Sequence, residues 1–327
     1  KSAAEANVQS GTLSTRIGGA ISRAASEVAE GKFDASFILD SFTAGAGTPF
    51  NMNMNEVLAN RAEELLGGKK GSYKLVHPNN HANMSQSSND VIPTAIRLVL
   101  IKESAAVISE TEKLAKEIEK KAREFSGIVK VGRTHLMDAV PLTVGDELSA
   151  FSSALRLDAT HIKSAVEQLH ELPMGGTALG SGINTDPSFR KAAVKRIAFN
   201  TGIKVREGHN LFRLISQSSD FLAYSSSLRL LAATLHKFSN DLKLLSSGPN
   251  TAIGEYILPE VEPGSSIMPG KVNPSVPECA EMLANRAIAN DSAVLLATLG
   301  GQLQLNVQTP LILHSLSESN GLLSNGC

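Results

Sequence analysis

Three long stretches of the chain place apolar residues every three or four positions, which is the spacing of one face of an α-helix. They run from Ile101 to Phe125, from Leu148 to Leu169 and from Leu228 to Leu245. No alternating β pattern of comparable length accompanies them. Amphipathic helices of this length bury their apolar faces against one another, so the pattern predicts an all-α fold built on a long central helical bundle.

The composition indicates an ordinary core and no strong attraction to a polyanion. Hydrophobic residues make up 42% and charged residues 19%, and the formal net charge is −1. This balance gives no long-range field for nucleic acid, and no apolar run approaches the roughly 20 residues of a membrane helix. We therefore expect no nucleic-acid or membrane partner. Cys279 and Cys327 lack a disulfide or metal-ligand spacing, so we expect reduced thiols in a cytoplasmic protein, or a mitochondrial one in a eukaryote.

Five polar segments that contain glycine or proline interrupt the helical pattern. Because loops carry binding and catalytic residues more often than helices do, the functional side chains are expected in them. The segments are Thr43–Asn55, Val76–Pro93, Gly132–Pro141, Met174–Asn184 and Pro259–Glu278.

The most informative segment has the sequence Gly264-Ser-Ser-Ile-Met-Pro-Gly-Lys-Val-Asn-Pro274. Its glycines permit sharp turns and its prolines fix φ, so a pre-shaped mobile lid is expected here. Lys271 and Asn273 together supply the charge and the hydrogen-bond donor that bind a carboxylate. The alternative interpretation is a surface loop whose serines cap a helix.

This segment resembles the signature loop of the fumarase/aspartase superfamily, and the similarity extends over nearly the whole chain. The resemblance implies removal of water or ammonia from a small dicarboxylic acid to give fumarate. It also implies that residues 1–327 are the central helical lyase domain, with part of the family's N-terminal region at 1–90 and the family's N-terminal start and small C-terminal domain absent. The other stretches that carry it are TAGAGTPFNMNMNEVLANR (Thr43–Arg61), VHPNNHANMSQSSNDVIP (Val76–Pro93), GRTHLMDAVPL (Gly132–Leu142) and GGTALGSGINT (Gly175–Thr185).

The resemblance also implies a role for each candidate residue. In the family reaction a base removes a proton from the carbon beside a carboxylate, which then accepts a second negative charge and needs several donors. Ser265 corresponds to the base, as an activated alkoxide, and Lys271 and Asn273 to the groups that hold the carboxylate. His135 corresponds to the active-site histidine and Glu278 to the acid that pairs with it. Further hydroxyl and amide donors are implied at Thr48, Ser87, Ser88, Asn89 and Thr134.

Other motifs have a less specific meaning. His77, Asn79 and Asn80 resemble a second anion site beside the main one in fumarases, and they stay outside the catalytic set. The glycines of Gly45–Gly47 and Gly175–Gly182 lack the context of a nucleotide-binding loop, so tight structural turns are expected there. With no nucleotide motif and no cluster of metal ligands, we expect no cofactor and no metal.

The sequence leaves the substrate open. Fumarate hydratase, which interconverts (S)-malate and fumarate plus water, is our first expectation, because Ser88 stands in the middle of the Ser-Ser-Asn triplet as in fumarases. Gly301–Asn306 is closer to aspartate ammonia-lyases, which makes L-aspartate the alternative substrate. A catalytically inactive structural relative is the third interpretation. The joint presence of four residues argues against it: Ser265, Lys271, Asn273 and His135.

The resemblance finally implies the state of assembly. Four subunits of the family join through their long helices, and each active site takes motifs from three different subunits. We therefore expect an obligate homotetramer whose activity disappears on dissociation.

Overall fold

Ten α-helices account for most of the chain in the computed structural model, which describes residues 1–327. This confirms the predicted all-α fold. None of the helices combines the length and the hydropathy that crossing a membrane requires. The helices are α1 (Ser2–Gln9), α2 (Thr15–Ala29), α3 (Thr48–Leu65), α4 (Ser88–Glu124), α5 (Val144–Leu169), α6 (Phe189–Thr201), α7 (Leu211–Ser216), α8 (Ser219–Leu245), α9 (Ser275–Leu299) and α10 (Thr309–Gly326).

The three predicted helices are confirmed as parts of α4, α5 and α8. Helix α4 begins at Ser88, well before the predicted start near Ile101. The sequence did not indicate these first turns, because they are polar and contain Pro93, a residue that normally ends a helix. The start is fixed by a reciprocal cap. The backbone N–H of Asn89 donates to Ser87 Oγ (3.2 Å), and that of Ser87 donates to Asp90 Oδ1 (3.0 Å).

The chain divides into two compact units, each assembled from non-contiguous segments. The first unit contains Lys1–Ile101, Gln168–Leu222 and Val294–His314, and the second contains Lys102–Glu167, Ala223–Ala293 and Ser315–Cys327. The expected single lyase domain over residues 1–327 stays a prediction.

In the first unit, α2 and α3 pack around a small-residue core. Ala24, Ala59 and Ala62 are fully buried there, together with Ile21. Helix α1 can pack closely against α2 because residue 18 of α2 is glycine. A Cβ added at Gly18 would lie only 2.2 Å from a methyl group of Val8 in α1. A second cluster joins α1 to α6 through the buried ring of Phe189.

The second unit contains the helical bundle. Its helices bury apolar side chains at the predicted spacing, among them Val107, Ala115, Leu155, Ile162, Leu231 and Leu235. Buried side chains also link neighbouring helices. Ser152 of α5 donates to the carbonyl of Ala115 in α4 (2.7 Å), and Ser225 of α8 donates to Asp291 of α9 (2.7 Å).

The segment Gly132–Pro141, expected to be a polar connection, is part of a β-hairpin. Strand β1 (Val129–Thr134) pairs antiparallel with β2 (Met137–Thr143). Strands of six and seven residues are too short for a clear alternating pattern, and the turn lacks the usual Asn-Gly signal. Two further short strands, β3 (Glu171–Leu172) and β4 (Arg206–Glu207), form a parallel pair.

Two other interrupting segments are partly helical. Thr43–Asn55 contains the start of α3 at Thr48, where Pro49 occupies the first turn. The inner face of α3 has asparagines at positions where a helix usually has apolar residues, so the apolar spacing is interrupted. Asn51 and Asn55 are nevertheless buried. Glu278 likewise lies in the first turn of α9 and not in a loop.

Candidate active site

The candidate residues lie on separate elements of the two units. In the first unit, Thr48 begins α3, and Ser87, Ser88 and Asn89 form the start of α4. In the second unit, the hairpin carries Thr134 and His135 at its tip, and the loop Gly264–Pro274, here called the signature loop, precedes α9. That loop contains Ser265, Lys271 and Asn273, and α9 contains Glu278.

The starts of α3 and α4 are joined inside the first unit. The side chain of Ser88 is buried, and its Oγ accepts a hydrogen bond from Asn51 Nδ2 at 3.0 Å. Asn51 lies one turn after Thr48, whose side chain is exposed. The structure therefore brings the Thr48 and Ser87–Asn89 stretches together, with two helix N-termini that favour an anion.

An asparagine network supports this junction. Nδ2 of Asn51 and Nδ2 of Asn55 both donate to Asn83 Oδ1 at 3.0 Å. The sequence interpretation missed these residues. Their spacing could have revealed them, because Asn51 and Asn55 lie one helical turn apart and on the same helix face as Leu58 and Ala62, which are buried.

Asp90 is a second residue that the sequence interpretation missed. Its carboxylate is completely buried, and one oxygen, Oδ2, accepts from the backbone N–H groups of Gly175 (3.0 Å) and Thr177 (2.9 Å). Burial raises the pKa of Asp90 to about 6, although the N–H groups around it favour the ionised form. Together with Asn89 Nδ2, which donates to the carbonyl of Ala178 (2.8 Å), Asp90 fastens the glycine-rich turn to the start of α4.

The hairpin tip presents His135 to solvent. His135 and Leu136 form the two-residue turn between Thr134 and Met137, with φ of 55° and 61°. Both are non-glycine residues in the left-handed region, a conformation that costs free energy and is often found at functional sites. The side chains of Thr134 and His135 are exposed, and neither forms a hydrogen bond within the chain.

The ends of the signature loop are held together by a hydrogen bond from a side chain to the backbone. Nδ2 of Asn273 donates to the carbonyl oxygen of Gly264 at 2.8 Å. A Cβ added at Gly264 would lie 2.1 Å from the carbonyl oxygen of Lys271, so only glycine fits this neck. The loop is therefore a closed turn with a fixed base.

Ser265 lies inside this turn with two donors directed at its oxygen. The backbone N–H groups of Ile267 and Met268 donate to Ser265 Oγ at 3.2 and 3.1 Å. Such donors favour negative charge on the oxygen that accepts them. The ammonium of Lys271 is exposed and forms no ion pair within the chain, so it is free to bind an anion.

The predicted pair of His135 and Glu278 is not formed within one chain. Glu278 is exposed in the first turn of α9, and no hydrogen bond or ion pair joins it to His135. Their pairing stays a prediction for the assembled protein. No group of three or more His, Cys, Asp or Glu side chains is arranged to hold a metal ion.

Asn79 and Asn80 belong to a single turn of π-helix over Pro78–Ala82, and His77 directly precedes it. The ring of His77 caps this turn, because its Nδ1 accepts from the backbone N–H groups of Asn79 (3.1 Å) and Asn80 (3.3 Å). The next histidine, His81, accepts from the backbone N–H of His77 (2.8 Å), and burial lowers the pKa of His81. His77 therefore has a clear structural role here.

Comparison with known proteins connects this geometry to a family. A family model described as lyase matches residues 1–289. The chain is 46% identical to the aspartate ammonia-lyase of Pseudomonas aeruginosa over 324 residues, which cover 99% of this chain and 68% of that protein. It is 43% identical to the class II fumarate hydratase of Chromobacterium violaceum over 327 residues, which cover 100% of this chain and 71% of that protein.

A solved structure agrees with these relatives. The crystal structure of fumarate lyase:delta crystallin from Brucella melitensis bound to cobalt superposes with a TM-score of 0.96 at 42% identity, covering 99% of this chain and 71% of that one. The sequence motifs, the helical fold and these relatives agree, and the chain belongs to the lyase family of the fumarase/aspartase superfamily.

Proposed function

We propose that this chain catalyses the reversible elimination of a small group from a four-carbon dicarboxylate to give fumarate. The first substrate is (S)-malate, which loses water. Ser265 acts as the base, and His135, Glu278 and Lys271 complete the catalytic set. The two free thiols, Cys279 and Cys327, support a reducing, cytoplasmic setting.

The observation that carries this proposal is the environment of Ser265 Oγ. A serine hydroxyl is too weak a base unless its alkoxide is stabilised, and the N–H groups of Ile267 and Met268 are directed at this oxygen. The alkoxide takes the proton from the carbon beside one substrate carboxylate. The electron pair left on carbon forms the double bond, and the hydroxyl leaves the neighbouring carbon with a proton as water.

The charge that develops on the substrate needs donors. Lys271 supplies an ammonium that has no partner within the chain, and Asn273 supplies an amide from the neck of the same loop. These groups stabilise the doubly charged carboxylate of the intermediate. Further donors come from the helix starts of the first unit and from the hairpin: Thr48, Ser87, Ser88, Asn89 and Thr134.

We also propose that the complete site forms only in a homotetramer. His135 and Glu278 are both exposed and unpaired within one chain, which supports their pairing between copies. Exposed apolar side chains on α9, including Met282 (65%) and Leu296 (64%), support a helix-to-helix interface.

L-Aspartate is the second candidate substrate. The relative with 46% identity is an aspartate ammonia-lyase, and the Gly301–Asn306 stretch has the same tendency. Asn306, however, is 1% exposed and donates to Ser218 Oγ and to the carbonyl of Ala297, both at 3.0 Å. Its role in this chain is therefore packing, so this stretch is weak support for a substrate.

The test is to supply (S)-malate and L-aspartate separately to the assembled protein and to follow fumarate by its ultraviolet absorbance. We expect fumarate from malate. Turnover of aspartate alone would assign the ammonia-lyase reaction. Turnover of neither substrate would overturn the proposal and leave the inactive structural relative.

A further inference from the structure

A charged network in the second unit connects the hairpin to the segment before the signature loop. Lys130 of β1 places its Nζ 2.9 Å from Glu147 of α5 and 2.9 Å from Glu255. Arg133 of the same strand places Nη2 2.6 Å from Glu255 Oε1. The hydroxyl of Tyr256 also donates to Glu147. Two cations and two anions thus join three separate parts of the chain.

The network is more enclosed than an ordinary surface ion pair. The side chain of Lys130 is 7% exposed, and those of Arg133 and Glu255 are each 22% exposed. By contrast, Lys121 and Glu124 form a simple pair at 2.9 Å with exposures of 55% and 50%. The Arg133 guanidinium beside Glu255 holds the pKa of that carboxyl below its usual value. Partial burial and shared partners make a network of this kind rigid.

Its position along the chain connects two elements that carry proposed site residues. Arg133 directly precedes Thr134 and His135 at the hairpin tip. Glu255 lies ten residues before Ser265, in a stretch without helix or strand between Leu245 and Ser275. Backbone bonds from Glu255 and Tyr256 to the carbonyl of Leu245, at 2.8 and 3.1 Å, fix the same point.

Beyond this point the chain is held only weakly. No hydrogen bond ties residues 257–261 to the rest of the chain, and Ile257 is 97% exposed. The next anchor is Glu262, which accepts from the hydroxyl of Ser275. Glu255 is therefore the side chain through which the hairpin can fix the approach to the signature loop.

We infer that Glu255 is a positioning residue for the elimination reaction. It holds the base of the loop that carries Ser265 against the strand that leads to His135. The inference rests on the proposed function for its kinetic consequence, and on the network alone for its structural one.

The test compares Glu255→Gln with Glu124→Gln in the assembled protein. The two changes are chemically identical, but the second removes only the exposed pair with Lys121. For Glu255→Gln we expect kcat to fall about tenfold or more, because a displaced catalytic group slows the chemical step steeply. The KM should rise less than kcat falls, because Asn273 lies in the loosened loop but the substrate-binding donors of the first unit are untouched. Glu124→Gln should leave both constants unchanged.

A second measurement does not depend on turnover. Hydrogen–deuterium exchange of the hydrogen-bonded amides of Glu255, Tyr256, Ile267 and Met268 should become faster in Glu255→Gln and stay unchanged in Glu124→Gln. Glu255→Asp keeps the charge and should restore part of both the rate and the protection, and it replaces Glu255→Gln if that variant does not fold.

The outcomes separate this inference from the proposed function. A wild-type protein that converts neither malate nor aspartate would refute the function, while the exchange experiment still decides whether the network anchors the loop. Unchanged exchange in Glu255→Gln would refute the anchor. Faster exchange with an unchanged kcat would also refute the inference, because the loop base would then have no influence on the reaction.

Discussion

The buried carboxylate of Asp90 accepts hydrogen bonds from three backbone N–H groups, those of Ser87, Gly175 and Thr177. In Asp90→Asn a donor replaces one acceptor oxygen, so at least one buried N–H loses its partner. Each such loss costs about 1–3 kcal/mol. We predict that the free energy of unfolding falls by about 2 kcal/mol or more, measured by urea denaturation. Asp138→Asn is the control, because that side chain is 83% exposed, and an equal loss in the two variants would contradict the prediction.

The same carboxyl predicts a pH dependence. Burial raises its folded-state pKa from 3.8 to about 6, so the folded protein binds this proton more tightly than the unfolded chain does. The contribution to stability is therefore complete below pH 3.8 and is lost as the pH rises through about 6. The free energy of unfolding of the wild type should therefore exceed that of Asp90→Asn by less and less as the pH rises through this window. An excess that stays constant or grows with pH would contradict this pH dependence.

Single residues of the site differed in how far the sequence could predict them. Ser265, Lys271 and Asn273 lie within one continuous motif, so their chemistry could be proposed without a fold. Asp90 could not be recognised in this way, because its importance depends on Gly175, which lies 85 residues further along the chain. The partners of Lys130 are likewise set by folding.

At the scale of elements, the long helices were predictable and the short strands were not. Helices α5 and α8 repeat their apolar spacing over 26 and 27 residues, which gives a strong periodic signal. Strands β1 and β2 are too short for this, and their turn uses His135 and Leu136 at positive φ in place of glycine. The start of α3 was hidden because buried asparagines replace apolar residues on its inner face.

The neck of the signature loop allows an element-scale prediction. In Gly264→Ala the new methyl group would lie 2.1 Å from the carbonyl oxygen of Lys271, so the neck must open and displace Ser265. We predict that kcat falls about 100-fold, because a shift of about 1 Å in a catalytic group has an effect of this size. Thermal unfolding should change little, because the loop is exposed.

Gly127→Ala is the matched control. A Cβ added at Gly127 meets nothing within 4 Å, and this glycine also lies outside regular structure. Steady-state kinetics on the substrate that the wild type converts would compare the two variants. A Gly264→Ala enzyme as active as Gly127→Ala would show that the neck need not be closed.

At the scale of the whole molecule, α9 carries an exposed stripe at alternating spacings of four and three residues. This heptad pattern is typical of a helix that packs against another helix. Glutamate begins the stripe and apolar residues end it, so the proposed interface and the proposed acid share one face. The stripe consists of Glu278, Met282, Asn285, Ala289, Ser292, Leu296 and Leu299.

Charge in this stripe should prevent assembly. For Leu296→Lys we predict dissociation into smaller species, because an ammonium without an acidic neighbour on the stripe would be buried in an apolar interface. Activity should be lost in parallel if the site is shared between copies. Size-exclusion chromatography with light scattering measures the first effect and the fumarate assay the second.

Phe199→Lys is the control for this change. Phe199 is 79% exposed, but it shares its face of α6 with the exposed Lys191 and Lys195, which is typical of a solvated surface. This variant should keep the mass and the activity of the wild type. A fully active Leu296→Lys monomer would contradict the proposed assembly.

The proposed elimination depends on one oxygen atom, Ser265 Oγ, which takes a proton from carbon. The most direct measurement is the rate of fumarate formation by Ser265→Ala beside that of Ser266→Ala, with the substrate that the wild type converts. The neighbouring Ser266 is exposed, and its hydroxyl forms no hydrogen bond within the chain. If Ser265 is the base, Ser265→Ala lowers kcat by about 10²–10⁴-fold while substrate still binds, and Ser266→Ala is as active as the wild type. A Ser265→Ala enzyme that forms fumarate at the wild-type rate would contradict it.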